Sequence, residues 1–303
     1  MANKFKALIP LPIKKSVLAF FMNTKRYFVE LHELYHDIQK IHDLDINKHF
    51  RKKIRNTRIS TIYFRKYDKK NNIANIVGNK ISFNYFNTLK GLFYEIFVSQ
   101  CYWFTTVNPE PKIIDCGSHY GQSILYFKKM YPKAKIICFE PDKHTFSTLT
   151  KNINTNNIQD VEMNNMAVSD FEGEMDFYNM EGVKSSIVMS TVKDRISNGI
   201  KSRVKATRLS KYIDEPIDFL KMDIEGAELS VLKELVKSDK LKHIKQMVIE
   251  YHHHIKESED NFSHTLELLE SNGFGYQIEG EFLKPRKEVH FQDIMIYAYN
   301  KNL

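Results

Sequence analysis

The stretch Ile113-Ile114-Asp115-Cys116-Gly117-Ser118-His119-Tyr120-Gly121 decides how the rest of the chain is read. An apolar run closes on Cys116, two glycines follow four residues apart, and helical spacing takes over from Gln122 to Tyr131. That order predicts a buried strand, Lys112–Cys116, turning sharply into a helix. Gly117 lets the backbone approach a ligand, and Gly121 lets the helix start tightly. The pattern is D-x-G-x-x-x-G, which differs from the G-x-G-x-x-G turn of dinucleotide sites.

Downstream the same grammar repeats. Strands are predicted at Ile136–Glu140, Val161–Val168, Glu174–Tyr178, Ile217–Asp223, Ile244–Glu250, Tyr276–Glu279 and Ile294–Tyr299. Helices are predicted at Asp142–Thr155, Gly226–Val236 and Phe262–Ser271. Strands alternating with helices of about ten residues imply an α/β fold with a mostly parallel sheet covered on both faces. The last two strands have no helix between them, so the final one is expected to run antiparallel.

Upstream, residues 1–110 read differently, and we divide the chain there into 1–110 and 111–303. Ser16–Ile41 has helical spacing, Arg51–Arg58 is strongly basic, and Ile59–Asn87 reads as short strands. Gly91–Phe104 is apolar and aromatic and is expected to pack onto the second domain. Residues 1–110 hold 19 Lys and Arg against 8 Asp and Glu, while the remainder holds 26 against 29. The basic part is expected to meet an anionic surface, either lipid or another polyanion; a solvated helical face is the plainer alternative. No run of 18 apolar residues predicts a spanning helix, and the N-terminal stretch has no signal-peptide pattern. The three cysteines lack the spacing of a disulfide framework. These features are expected of a cytoplasmic protein, with a peripheral place at the inner membrane face left open.

Chemistry is expected at the strand ends. Asp115 beside the glycine turn would repel a pyrophosphate, yet suits the ammonium and sulfonium of S-adenosylmethionine, which has no phosphate. An Asp that only caps the turn is the alternative. Glu140, followed by Pro141, ends the second strand, where an acid can accept ribose hydroxyls. Asn165, Met166 and Ala167 follow the third strand and could flank an adenine. Asp223 ends the fourth, at the edge where open α/β sheets bind ligands. Glu250 and His252 lie two apart on one strand face, so a carboxylate could orient a histidine that takes a hydroxyl proton. A divalent ion on Asp223, Glu250 and a histidine is ranked below a metal-free site.

The blocks IIDCGSHYGQSILYF, ICFEPD, NNMAVSDFEG, IDFLKMDIEGAE and VIEYH, in this order, resemble the FkbM-type methyltransferase family. The resemblance implies a class I methyltransferase fold, Rossmann-like, with seven strands and the last antiparallel. It implies S-adenosylmethionine as cofactor and methylation of a hydroxyl, often on a sugar or glycan. By position, Asp115, Gly117, Ser118, His119 and Gly121 would serve the methionine portion, with Glu140 and Pro141 at the ribose and Asn165 to Ala167 at the adenine. Asp223 would close the pocket, with His252 as general base beside Glu250. Ser118-His119 stands where the family often has Ala-Asn. RNA or a small natural product is the alternative acceptor, and a glycan- or membrane-binding protein on a relic fold is the non-enzymatic one. A nicotinamide enzyme is disfavoured by the missing third glycine.

Overall fold

The computed structural model describes residues 29–179, 200–253, 261–280 and 292–303. It divides into two compact units, one running to Tyr67 and including Asn75–Gly78, the other made of Asp68–Ala74 and Asn79–Leu303. Residues 79–110 thus belong to the second unit.

In the first unit, residues 29–43 are helical, and the part of the predicted Ser16–Ile41 helix before residue 29 lies outside the described residues. Lys48–Thr57 forms a helix that Asn47 caps through its side chain. It holds Lys and Arg but no acid in its first turn, and buries Phe50 and Ile54. Arg58 donates to Asp37 at 2.5 Å, both side chains being buried, which balances two charges away from water. The expectation of strands from Ile59 onward is corrected here. Arg58–Tyr63 continues the helix as a π-turn; the strands that follow in sequence are Tyr67–Asp68, Ile73–Ile76 and, in the second unit, Asn79–Ser82. The β-branched residues Ile59, Thr61 and Ile62 favour strands, but the preceding helix carries them on.

The second unit is built on a seven-stranded sheet. Its strands are β1 (Lys112–Cys116), β2 (Lys135–Phe139), β3 (Val161–Asn164), β4 (Ile217–Met222), β5 (Ile244–His253), β6 (Phe274–Gly280) and β7 (Gln292–Asn300). Their spatial order is β6-β7-β5-β4-β1-β2-β3. Neighbours from β5 to β3 pair in parallel, and β7 pairs antiparallel with both β5 and β6. This is the class I methyltransferase arrangement, with the antiparallel strand where it was expected. Among the described residues, four α-helices connect it: α1 (Gln122–Met130), α2 (Lys143–Thr155), α3 (Glu228–Lys237) and α4 (Phe262–Ser271). The central strands are buried on both faces, β4 at every position, and Leu220, Met222, Ile249 and Ile296 pack with Leu232 and Leu235 of α3. Continuous apolar strands of this kind need helices on both sides to exclude water.

Two predicted elements differ. Val161–Val168 is not one strand: the chain leaves the sheet after Asn164 and restarts at Ala167–Ser169 in a separate three-stranded sheet. The central strand of that sheet, Ile200–Arg208, was not predicted; it pairs parallel with Ala167–Ser169 and antiparallel with Gly173–Asn179. Its sequence, IKSRVKATR, alternates with charges, so its apolar signal is weak. The helix predicted from Gly226 begins at Glu228, because Glu225 and Gly226 both take positive φ. Among the described residues no helix is long and apolar enough to cross a membrane, and the three cysteines are free.

Asn152 of α2 is the clamp that holds the glycine turn. Its buried amide accepts from the Ser82 N–H at 2.7 Å and donates to Ser82 O at 3.0 Å and Tyr120 O at 2.9 Å. Replacing it removes the partner of three backbone groups, the buried Tyr120 carbonyl and the part-buried N–H and carbonyl of Ser82. Asn152→Ala is expected to lose roughly 2–4 kcal/mol of stability in urea denaturation; a loss under ~0.5 kcal/mol would show that the clamp is dispensable.

Candidate active site

A cavity of about 250 Å³ opens along the carboxyl ends of β1, β2 and β4. One end is lined by His119, Glu140, Pro141, Met166, Ala167 and Phe177, the other by Glu95, Tyr102, Asp223, Glu225, Glu250 and Asp293. Gly117 and Ser118 form the floor between them.

The floor depends on backbone geometry that few residues supply. Gly117 has φ +86°, and a Cβ there would overlap the Asp223 carbonyl oxygen. Its N–H and that of Ser118 both donate to Phe139 O at 3.0 Å, which ties the turn to β2. Gly121, at φ +82°, caps α1, and a Cβ would come within 2.7 Å of Leu149. His119 and Glu225 also hold positive φ without being glycine, the kind of strain that clusters at functional sites.

Beneath the floor lies Lys221, a lysine within the fully buried strand β4. Its Nζ donates to Gly117 O at 2.7 Å and Cys116 O at 3.2 Å, stands 3.4 Å from both Asp115 and Asp223, and lies over the Tyr102 ring at 4.8 Å. Burial pulls its pKa down, but the carboxylates of Asp223 and Asp115 outweigh that and hold the ammonium above its ordinary value. Asp115 is itself buried, and its Oδ2 accepts from Ser123 Oγ at 2.6 Å. It is not part of the cavity wall; neither are Gly121, Asn165 or His252. Asn165 instead donates to the carbonyls of Glu140 and Pro141 at 2.9 and 3.0 Å, fixing the loop that presents them.

Glu140 is buried and accepts from the His119 N–H at 3.0 Å and the Asp142 N–H at 2.9 Å. Burial nevertheless pushes its pKa up to about 8. Each oxygen keeps a lone pair for a further donor. At the opposite end, desolvation and then the Asp223 charge hold Glu250 well above the carboxylate range. Tyr102 Oη reaches Asp223 Oδ2 at 3.3 Å and Glu250 Oε2 at 3.4 Å.

His252 stands at the centre of the acidic end. Its side chain is 1% exposed. Nδ1 contacts Glu228 at 2.7 Å, and Nε2 stands 3.2 Å from Glu225, 3.7 Å from Asp293 and 3.9 Å from Asp223. The carboxylate that orients the ring is therefore Glu228 of α3, where the strand spacing had pointed to Glu250. Sequence reading missed Glu95, Tyr102, Lys221 and Asp293. The signal for Glu95 and Lys221 was a lone charge inside an apolar run; Tyr102 and Asp293 reach the site only through tertiary structure.

The family model of the methyltransferase FkbM domain matches residues 115–276. The chain belongs to the FkbM methyltransferase family. Methyltransferase 1 of Beauveria bassiana is 27% identical over 205 residues, 61% of this chain and 80% of that protein. Methyltransferase sdnD of Sordaria araneosa is 30% identical, over 47% of this chain and 67% of that protein. The 2-O-methyltransferase NoeI of Sinorhizobium fredii is 28% identical, over 41% of this chain and 57% of that protein. In this FkbM-family methyltransferase the matched span begins at Asp115 and takes in Glu140, Lys221, Asp223, Glu250 and His252.

The buried acid of the FkbM enzyme has a measurable consequence. Unfolded, Glu140 ionises near 4.5; folded, it does so near 8. Between those values the unfolded state gives up a proton that the fold retains, so this residue removes stability as pH rises, at about 1.4 kcal/mol per unit, and no further above 8. Urea denaturation of Glu140→Gln from pH 5 to 8 is expected to show a shallower fall than the native chain, whatever constant offset the amide introduces. Parallel curves would mean that Glu140 is ionised throughout.

Proposed function

We propose that the chain is an S-adenosylmethionine-dependent O-methyltransferase whose acceptor is a hydroxyl of a sugar or glycan. The observation that carries this reading is the acid-rich lining of the cavity. Among the described residues lining it, Lys221 is the one Lys or Arg, against Glu95, Glu140, Asp223, Glu225, Glu250 and Asp293. Such a wall suits a cationic cofactor and a polyhydroxyl acceptor and repels phosphates. The residues fit the cofactor: Glu140 has acceptor capacity for ribose hydroxyls, Met166, Ala167 and Phe177 offer apolar surface for a base, and the carboxylates balance an ammonium and a sulfonium. Bound there, S-adenosylmethionine supplies the methyl group to the acceptor oxygen. NoeI, named a 2-O-methyltransferase, supports a hydroxyl acceptor.

This chain's residues contribute by positioning and by taking a proton. Glu250 faces the cavity and receives the acceptor's hydroxyl proton. His252, outside the wall, fixes the carboxylates around it. The acidic wall disfavours RNA, whose backbone would meet repulsion. The basic helix Lys48–Thr57 is the surface we assign to an anionic partner such as the inner membrane face of the cytoplasm. A non-enzymatic binding role would leave the cavity without affinity for the cofactor product.

Calorimetry with S-adenosylhomocysteine, joined to a methyl-transfer screen over sugars, glycans and RNA, tests the reading. Glu140→Ala is expected to weaken binding by roughly tenfold to a hundredfold. Glu250→Gln is expected to lower kcat by ~10²–10⁴ while binding survives. No binding of S-adenosylhomocysteine by the native chain would sink the proposal.

A further inference from the structure

The acidic end of the cavity holds more than a proton acceptor needs. Asp223 Oδ1, Glu225 Oε2 and Asp293 Oδ1 all face one atom, His252 Nε2, at 3.9, 3.2 and 3.7 Å. Two of these three distances exceed a hydrogen bond to the ring nitrogen. They match a different arrangement. Ligands bound at about 2.0–2.3 Å to one ion lie about 3 Å apart at right angles and a little over 4 Å apart across it. The coordinating atoms of Asp223, Glu225 and His252 all fall within 4.8 Å of one another, as do those of Glu250, His252 and Asp293.

The second observation concerns the other ring nitrogen. His252 Nδ1 meets Glu228 Oε1 at 2.7 Å, and the same oxygen accepts from the Gly226 N–H at 3.0 Å. A neutral ring that donates from Nδ1 points the Nε2 lone pair into the three carboxylates. That is the outer carboxylate found behind metal-ligating histidines, which fixes the tautomer and raises ligand basicity. The Asp223 carboxylate divides accordingly: Oδ2 contacts Lys221 and Tyr102, while Oδ1 is the oxygen nearest His252.

We propose that Asp223, Glu225 and His252, with Asp293 beside them, form a divalent-cation site at the acceptor end of the cavity. Carboxylate and imidazole ligands suit Mn²⁺ or Mg²⁺ with water in the remaining positions. Resting on the methyl-transfer reading, the ion would bind the acceptor hydroxyl, together with a neighbouring hydroxyl as a second oxygen ligand, and lower its pKa. The acceptor class is then a vicinal diol, as sugars present.

The rival is a protonated His252 whose Nε2–H pairs with Glu225 and excludes a cation. Chelator-treated full-length protein titrated with Mn²⁺, with free Mn²⁺ read by electron paramagnetic resonance, separates the two. The expected result is saturable binding of one Mn²⁺ per chain, displaced by Mg²⁺. Affinity is expected to fall at least tenfold in His252→Ala and in the milder Glu225→Gln, whose folding is checked by Tm. Absence of saturable binding, or unchanged affinity in a folded Glu225→Gln, overturns the site. S-adenosylhomocysteine binding is measured on the same sample. If it is retained while Mn²⁺ fails, the ion site alone falls; if Mn²⁺ binds without it, the ion site stands and the methyl-transfer reading fails.

Discussion

The Lys221 ammonium is the constraint around which the site is arranged. It is a full charge on a strand buried at every position, and burying such a charge alone would cost several kcal/mol. The fold compensates with two carbonyl acceptors, one at the end of β1 and one in the glycine turn, two carboxylates and an aromatic face. Those partners come from different elements: Asp115 and Cys116 from β1, Gly117 from the turn, Asp223 from the end of β4, and Tyr102 from upstream of the sheet. One cation thereby fixes the spacing of β1 and β4 where the cavity floor must form. It also accounts for Asp115, which serves the cavity through Lys221 and Ser123 and does not line it.

With that anchor in place, the remaining carboxylates divide by environment. Glu140 is enclosed and receives two backbone N–H groups, so its position is rigid. Asp223, Glu225, Glu250 and Asp293 crowd one another at the other end, with Lys221 and His252 as the cationic or neutral counterweights. Like charges in a partly dry cleft are unfavourable unless a cation completes them. The fold tolerates this accumulation because it lies at the carboxyl edge of the sheet, away from the apolar layers that stabilise the unit.

Much of the fold was legible because its signals are local. β1 and α4 have their predicted limits, and the other sheet strands except β3 shift by one to three residues, since apolar runs and the turns that bound them are written in sequence. Asp115, Gly117, Glu140 and Asp223 were legible as strand-end residues. The rest was not, for identifiable reasons. The Arg58–Tyr63 π-turn depends on the helix before it, and Ile200–Arg208 has charged faces that hide its pairing. Lys221 was not singled out because the carbonyls that receive its ammonium, Cys116 and Gly117, are 104 or more residues away in sequence. Asn165 read as an adenine contact, since sequence places it beside the cavity but cannot show that its amide turns back onto Glu140 and Pro141.

The position of His252 follows from the length of β5. The strand was expected to stop at Glu250, but it continues to His253 because β7 pairs with it throughout, setting His252 opposite Asp293. β4, its other neighbour, ends at Met222, opposite Ile249. The last turnless residues of β5 therefore extend beyond β4, into the space over the loop Asp223–Ala227. Strand alternation keeps Glu250 and His252 on one face, yet the overhang gives them different surroundings: Glu250 borders the cavity, while His252 is enclosed by the loop and held by Glu228 at the start of α3. A few residues of extra antiparallel pairing thus convert a histidine that sequence would place in the wall into the hub of a carboxylate cluster. The same extra pairing sets Asp293 of β7 opposite His252, 3.7 Å from its Nε2.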